Sequence, residues 1–259
     1  MNYGLQLSAS GALTALYRQD VYANNLANIN TPGFKADVPA NRQRLVVRQE
    51  DGLLSMPSND LLEKLGGGVQ VATPVTNFAQ GSLDSSANPL DLAIEGNGFF
   101  VVRAATSGSA DRLRLTRDGR FTLNSEGHLV MATTGMPVLD DQNRPIEITG
   151  VGPVTVGTNG VVRQGEREIA TLRLVDVPNR RELRKMGENL FAAPATAMNN
   201  LAPATGTIVQ GARERASVDE ITALLDVQSA GRAASANLAM ISYQDRMTER
   251  AIAQLGRMA

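Results

Sequence analysis

The chain has 259 residues, with 25 basic and 26 acidic side chains and a formal net charge of -1. Charges of both signs are interspersed, so no strong field draws the chain to nucleic acid or to an anionic membrane. Cysteine and tryptophan are both absent, which excludes thiol catalysis and cysteine-ligated zinc and leaves the core to aliphatic side chains. The length is sufficient for one ordinary core or two modest ones.

Residues 3–30 contain no proline and carry apolar or small residues at alternating steps of four and three. The positions on this stripe are Leu5, Ala9, Ala12, Leu16, Gln19, Ala23 and Leu26. This spacing is typical of one face of a helix. Pro32 and Gly33 end the pattern, because proline cannot continue a helix and glycine permits a left-handed turn. The spacing therefore predicts a helix that ends near residues 28–30.

The C-terminal end of the chain repeats this theme. Its stripe consists of Leu224, Val227, Gly231, Ala234, Leu238, Ile241, Asp245, Thr248, Ile252 and Leu255. Only Asp245 and Thr248 interrupt the apolar spacing. Small residues surround the stripe, so a neighbouring helix can approach closely. A second, longer helix is predicted here.

Between the helices the pattern changes to alternation. Leu90, Leu92 and Ile94 alternate with polar or small residues, which is typical of a strand with one buried face. Asp118-Gly119 carries the signature of a two-residue hairpin, and Asn124–Gly127 and Asn159-Gly160 indicate further reversals. The alternation predicts antiparallel strands throughout this region.

The predicted fold is mainly β with α: a central antiparallel β domain flanked by N- and C-terminal helices that pair as a coiled-coil-like region. The predicted segments are an N-terminal helix (1–35), an extended connector with short strands (36–73), the β domain (74–205) and a C-terminal helix (206–259). A lone helix with an apolar face leaves an exposed patch. The two stripes must therefore be covered by each other or by another subunit.

The segment Ala23–Lys35, with its sequence Ala-Asn-Asn-Leu-Ala-Asn-Ile-Asn-Thr-Pro-Gly-Phe-Lys, closely resembles the N-terminal signature of the flagellar basal-body rod and hook proteins, of the FlgF and FlgG type. Residues 91–100 and 116–121 are similar to segments of the same family. Residues 187–191 and 210–211 fall where the family returns to its terminal helix. The resemblance covers most of the chain.

The resemblance implies a structural subunit of the flagellar basal-body rod, with no catalytic site and no cofactor or metal. Such subunits polymerise helically through their terminal helices into a drive shaft that transmits torque across the periplasm and encloses the export channel. They leave the cell through the flagellar type III export apparatus without a cleaved signal peptide. Implied partners are copies of the chain, other rod or hook subunits and, at the surface, peptidoglycan or ring proteins; nucleic acid and membrane insertion are not implied.

The resemblance also indicates which residues form the assembly interface. In the N-terminal helix they are Leu5, Ala9, Ala12, Leu16, Ala23, Asn24, Asn25, Leu26, Ala27 and Asn28. In the C-terminal helix they are Leu224, Val227, Ala234, Leu238, Ile241, Ile252 and Leu255. The family motif continues into a turn at Thr31, Pro32, Gly33 and Phe34. The stretches Ala216–Val218 and Gln228–Arg232 depart from the family pattern, which leaves open whether the subunit belongs to the proximal or the distal rod.

Four other features of the sequence are candidate sites. Gly96-Asn97-Gly98 lacks the third glycine and the helix of a phosphate loop and is interpreted as a strand turn. His128, the only histidine, is expected to be exposed and without metal. Asp140-Asp141 is expected to lie in a solvated turn. The basic cluster Arg180, Arg181, Arg184 and Lys185 is interpreted as solvated surface, with contact to peptidoglycan or a neighbour as the alternative.

Three alternatives to a rod subunit remain. A hook-type axial protein is the nearest, although hooks commonly carry an additional outer β domain. A secreted enzyme acting on the cell wall would need two facing carboxylates or a Ser, His and Asp set, which a single histidine and scattered acidic residues do not supply. A coiled-coil adhesin would need a longer uninterrupted heptad pattern.

Overall fold

The computed structural model describes residues 3–50, 52, 64–104, 113–150, 152–198 and 200–256. The helices of this part of the chain are α1 (Tyr3–Ala27), α2 (Val47–Glu50), α3 (Ala195–Met198) and α4 (Glu220–Leu255), with a 3-10 turn at Arg180–Glu182. The strands are β1 (Asp37–Gln43), β2 (Val69–Thr76), β3 (Leu83–Ser85), β4 (Leu92–Glu95), β5 (Phe99–Arg103), β6 (Leu113–Thr116), β7 (Phe121–Leu123), β8 (Leu129–Met131), β9 (Val154–Val156), β10 (Val161–Gln164), β11 (Arg167–Thr171), β12 (Leu174–Asp176), β13 (Arg184–Lys185), β14 (Leu190–Ala192), β15 (Ala202–Pro203), β16 (Thr207–Gln210) and β17 (Ala212–Glu214).

The chain divides into two compact units. The first, here called the helical unit, contains Met1–Ala27, Asp37–Val75 and Asp219–Ala259. The second, the β unit, contains Asn28–Ala36 and Thr76–Val218. The predicted fold class is confirmed, since terminal helices pair with each other and antiparallel strands fill the sequence between them.

In the helical unit, α1 and α4 pack against each other in antiparallel orientation. Gly4 lies opposite Gln244 and Gly11 lies opposite Asn237, so residue numbers rise along one helix as they fall along the other. The buried seam consists of small side chains, among them Ala12, Ala230 and Ala234. Small residues let two helix axes approach closely. The seam therefore buries little apolar area for its length.

Helix α4 begins at a side-chain cap. The carboxylate of Asp219 accepts a hydrogen bond from the backbone N–H of Thr222 at 2.8 Å, which satisfies one of the unpaired donors of the first turn. Hydrogen bonds from Thr222 hold the pKa of the exposed Asp219 below its ordinary value of 3.8. The cap is therefore strongest when Asp219 is ionised.

This cap predicts an acid-sensitive start to α4. A carboxyl whose folded-state pKa is depressed contributes stability above its unfolded pKa and loses it as pH falls through the folded pKa. We expect the helical circular dichroism signal of Asp219→Asn to fall less steeply below about pH 3.8 than that of the unchanged chain, because Asn caps well but does not titrate. Identical acid titrations of the two chains would contradict this role.

The β unit contains several small antiparallel sheets. The largest has six strands in the order β13-β14-β6-β5-β12-β15, and a three-stranded sheet has the order β11-β10-β9. Strands β16 and β4, β17 and β3, and β7 and β8 form pairs. The pairs β16–β4 and β17–β3 join strands distant in sequence, so the last strands of the unit close onto its first ones.

Strand β5 is buried on both faces. Phe99 and Val101 belong to one apolar cluster, while Phe100 and Val102 belong to another. Side chains of a strand alternate between its faces, so the Phe-Phe-Val-Val run supplies both cores from one segment. Residues 90–95 were predicted to form a strand with one buried face. This prediction is wrong, because the consecutive residues Leu92, Ala93 and Ile94 are all buried.

The predicted hairpin at Asp118-Gly119 is also wrong. Strand β6, before it, pairs with β5 and β14, whereas β7, after it, pairs with β8. Asp118 is buried and accepts hydrogen bonds from the backbone and guanidinium of Arg120. The dipeptide therefore carries the chain from one sheet to another. By contrast, the reversals at Asn124–Gly127 and Asn159-Gly160 connect antiparallel pairs, as predicted.

The aromatic residues are divided between the units. All six phenylalanines of the chain lie in the β unit, and all four tyrosines lie in the helical unit. Phe78, Phe99 and Phe191 form one group with ring centroids 5.3–5.9 Å apart. Phe100 and Phe121 form a second, edge-to-face pair at 5.1 Å. These contacts organise the two cores of the β unit.

Candidate assembly surface

The predicted interface residues of α1 are divided between the seam and the outer surface. Ala12 and Asn25 are buried. Leu5, Ala9, Leu26 and Asn28 are half-buried. Leu16, Ala23, Asn24 and Ala27 are exposed. The predicted stripe therefore runs along one flank of the buried seam, so only part of it is covered by α4.

The predicted residues of α4 show the same division. Ala234 is buried, and Val227 and Ile241 are half-buried. Leu224, Leu238 and Ile252 are exposed. Leu255 ends the helix, and its side chain lies outside the described residues. The intrachain seam instead follows Ala223, Val227, Ala230, Ala234, Asn237, Ile241 and Gln244.

Sequence reasoning missed an outer stripe on α4. Met240, Tyr243 and Met247 recur at three- and four-residue steps, and each is more than half exposed, Met247 at 69%. Ile221 and Leu225 extend exposed apolar surface to the first turn of the helix. Large side chains thus point outward while alanines occupy the seam. Long apolar surfaces of this kind mark a contact with another molecule.

Among the described residues, no helix combines the length and the apolar character that a membrane span requires.

Asn25, in the family signature, has a role within the chain. Its side-chain amide donates to the Asp37 carbonyl at 2.7 Å and accepts from the Asp37 N–H at 2.9 Å. Asn25 is buried, so these bonds replace the water that its polar atoms would otherwise bind. This paired contact fixes the last turn of α1 against the first residue of β1.

The turn after α1 is held by contacts within the β unit. Gly33 adopts a positive φ of 70°, and its N–H donates to the Glu214 carbonyl at 2.8 Å. A Cβ at this position would lie 2.6 Å from the backbone of Arg117. Phe34 is buried, with the Lys185 ammonium 4.4 Å from its ring centroid. The turn requires glycine for both its φ and its close backbone approach.

A buried ionic cluster lies beside this turn. The Glu214 carboxylate is 2.6 Å from the Lys35 ammonium and 3.1 Å from the Arg117 guanidinium, and all three side chains are almost fully buried. Glu214 also accepts from the Gly81 N–H at 3.0 Å. Arg117 donates to the Gly96 carbonyl at 2.7 Å. The cluster thus joins five separate segments of the β unit through charged groups.

The electrostatics of the cluster follow from burial. Burial lowers the pKa of Lys35 below its ordinary value, and the attraction of Glu214 opposes that shift. Burial likewise lowers the pKa of Arg117, again opposed by Glu214. Two cations share one carboxylate and all three side chains are buried, so each cation depends on that carboxylate for compensation.

Two other predicted sites have structural roles. Asp140, expected in solvated surroundings, is buried, and its carboxylate accepts from the backbone N–H groups of Gln142 and Arg144. It therefore closes a turn, while Asp141 is exposed. His128, expected to be exposed, is half-buried, with Nδ1 3.3 Å from Glu126. Among the described residues, no group of three or more acidic or histidine side chains could hold a metal ion.

The structure also shows the surroundings of the glycine pair Gly96 and Gly98 and of the basic cluster. Gly96 and Gly98 have positive φ and form the turn between β4 and β5, as interpreted from the sequence. Within the basic cluster, Arg180 pairs with Asp176 at 2.8 Å. Lys185 donates to the Lys35 carbonyl. Arg181 and Arg184 are exposed, so the surface interpretation applies to these two.

An antiparallel helix pair with a long exposed apolar stripe, joined in one chain to a β unit, is typical of a structural protein that contacts other chains through its helices. Comparison with known proteins identifies the family. Residues 5–35 match the family model of the flagella basal body rod protein, and residues 93–164 match that of the flagellar hook protein FlgE/F/G D1 domain. The chain is 36% identical to the flagellar basal-body rod protein FlgF of Caulobacter vibrioides, covering 99% of each chain. It belongs to the flagellar basal-body rod protein family.

Two FlgG proteins are less similar to this chain. The flagellar basal-body rod protein FlgG of the same Caulobacter strain is 28% identical, over 95% of this chain and 96% of its own length. FlgG of Buchnera aphidicola from Acyrthosiphon pisum is also 28% identical, over 95% of this chain and 97% of its own. Similarity along almost the entire chain extends beyond the two segments that the family models match.

Proposed function

We propose that this chain is a structural subunit of the flagellar basal-body rod that polymerises helically through its terminal helices. The observation that carries the proposal is its similarity to a rod protein over 99% of both chains. Within the predicted segments 1–35 and 206–259, helices α1 (Tyr3–Ala27) and α4 (Glu220–Leu255) would form the axial core. The resulting shaft transmits torque across the periplasm and encloses the export channel.

The proposal also assigns partners and a route. The chain assembles with its own copies and with other rod or hook subunits, after export by the flagellar type III apparatus without a cleaved signal peptide. Exposed Arg181 and Arg184 are available for contact with a neighbouring ring protein or peptidoglycan. The proposed role needs no catalytic step and no cofactor, because the subunit acts by binding other subunits.

The identities favour one rod position. Within Caulobacter vibrioides, this chain is 36% identical to FlgF but 28% identical to FlgG. We therefore assign it to the FlgF type, which the resemblance associates with the proximal rod. A hook-type protein is less well supported, because these full-length relatives are named as rod proteins.

A complementation experiment tests the assembly surface. In cells lacking their own copy, we expect the unchanged chain to restore swimming and Met240→Glu/Tyr243→Glu to leave swim halos the size of those of the deletion strain. The two charges would lie in an apolar contact between subunits, where unpaired charge is costly. Electron microscopy of isolated basal bodies would show whether the rod is complete.

The matched control places the same chemistry on the β unit. Leu123, on β7, is 38% exposed, and Leu123→Glu should swim as well as the unchanged chain. Export of each variant is checked by immunoblotting of the periplasmic fraction. Full swimming by an exported Met240→Glu/Tyr243→Glu chain would rule out this face of α4 as an assembly surface.

A further inference from the structure

The seam between α1 and α4 contains three amide side chains, and each lies directly over a glycine of the opposite helix. A Cβ built on each glycine would meet the facing amide at 2.6–3.5 Å. The pairs are Gln244 over Gly4, Asn237 over Gly11 and Gln19 over Gly231. Two of the amides belong to α4 and one belongs to α1, so each helix contributes both amides and glycines to the seam.

The distances at Gly4 and Gly11 show why glycine is needed at these two positions. At Gly11 the added Cβ would lie 2.6 Å from Asn237 Oδ1, closer than real Cβ contacts allow, and at Gly4 it would lie 3.0 Å from Gln244 Nε2. Asn237 and Gln244 therefore occupy the space that a side chain at Gly11 or Gly4 would take, whereas the 3.5 Å contact of Gln19 over Gly231 leaves room for a Cβ. Gly4 and Gly11 are seven residues apart, as are Asn237 and Gln244. The two pairs consequently define the same antiparallel alignment.

The rest of the seam does not define an alignment. Its buried side chains, Ser8, Ala12, Ala15, Ala230 and Ala234, are small, and its larger members Val227 and Ile241 are only half-buried. If one helix slides by a turn, alanine still meets alanine, so the buried apolar area hardly changes. Moving an amide off its glycine would press it against a Cβ and break contacts such as that of Gln244 Nε2 with Ser8 Oγ at 3.3 Å. Polar groups at single seam positions specify register in coiled coils in this way.

We propose that two of these amide–glycine pairs, Asn237 over Gly11 and Gln244 over Gly4, set the register of the terminal helices. Alanines allow the helices to approach, and the pairs select one alignment among several that the alanines permit. The proposal concerns pairing within one chain and does not depend on rod assembly. According to this proposal, the residues that align α1 with α4 are different from the residues of the outer stripe.

Spin labels can report the alignment directly, because the chain has no cysteine of its own. Asp20 on α1 and Thr248 on α4 are both exposed and become labelled cysteines in the full-length chain. Given that Gly4 faces Gln244, the two positions are separated along the helix axis by about twenty residues, or about 30 Å. A slip of one helical turn changes this separation by about 5 Å, which double electron–electron resonance resolves.

Three variants complete the test. Gly11→Asn places two amides opposite each other, so the distance should shift by about 5 Å or split into two populations. The exchange Gly11→Asn/Asn237→Gly moves the hole to the other helix and should return the original single distance. Ala233→Asn adds an amide at an exposed position and should change nothing. The proposal is overturned if the labelled parent chain shows no single distance, if Gly11→Asn leaves it unchanged, or if the exchange fails to restore it.

Discussion

Replacing Glu214 by glutamine is expected to lower the free energy of unfolding of the full-length chain by about 3–5 kcal/mol. The carboxylate is the only anion in contact with Lys35 and Arg117 among the salt bridges of the described residues, and all three side chains are buried. Glutamine has nearly the same shape but no charge, and its NH₂ group would face a cation that needs an acceptor. Two buried cations would then lack compensation.

Urea unfolding followed by far-UV circular dichroism measures the change. Glu168→Gln is the matched control, because Glu168 pairs with Arg163 at 3.8 Å and both side chains are 58% exposed. Exposed pairs contribute about 0–1 kcal/mol, so the control should unfold like the unchanged chain. In the double variant Lys35→Met/Glu214→Gln, the loss in the free energy of unfolding should be smaller than the sum of the two single losses by about 0.5–3 kcal/mol. Equal effects of Glu214→Gln and Glu168→Gln would refute the role of the cluster.

The second large effect is expected from Gly119→Ala, which should destabilise the chain by about 3 kcal/mol or more. A Cβ on Gly119 would lie 1.6 Å from the Leu92 carbonyl oxygen and 2.7 Å from its carbon. The Leu92 N–H donates to the Gly119 carbonyl at 2.9 Å, so the two backbones cannot separate without losing this bond. Leu92 lies in the larger apolar cluster, and its displacement would disturb the core.

Gly157→Ala provides the comparison within the same unit. Its added Cβ would meet the Asn159 side-chain oxygen at 2.8 Å. Asn159 is exposed, unlike Asn237 in the helix seam, so its side chain can move into solvent where backbone cannot move. We expect Gly157→Ala to cost less than about 1 kcal/mol. The measurement is the thermal unfolding midpoint of both variants at matched concentration. Equal midpoints of Gly119→Ala and Gly157→Ala would contradict the role assigned to the contact between Gly119 and the Leu92 backbone.

The terminal helices were predictable from sequence because their signals are local. A three- and four-residue apolar period marked both helices, and Pro32-Gly33 marked the end of α1, which stops at Ala27. The predicted C-terminal segment 206–259 began too early, because strands β16 and β17 precede α4, which begins at Glu220. Predicting which face would be buried was harder. The predicted stripe followed the larger residues Leu224 and Leu238, whereas the structure buries the alanines beside them. Close helix approach favours small residues, so apolar size alone misplaces the seam.

The β unit shows where local patterns fail. Asp118-Gly119 has the composition of a hairpin, but the dipeptide is fixed by Arg120 and by the backbone of Leu92. Lys35 and Glu214 are 179 residues apart in the chain, so no window of sequence connects them. Lys35 and Arg117 occur in segments that resemble the family, yet the resemblance does not indicate that a shared carboxylate joins them. Such contacts depend on topology.

The division of aromatic residues gives the protein two optical reporters that need no labelling. With no tryptophan present, tyrosine emission arises entirely from the helical unit, because all four tyrosines lie there. Phenylalanine fine structure in the near-ultraviolet circular dichroism arises entirely from the β unit, where all six rings lie. The two signals can therefore time the ordering of the helices and of the β unit separately in a single unmodified sample.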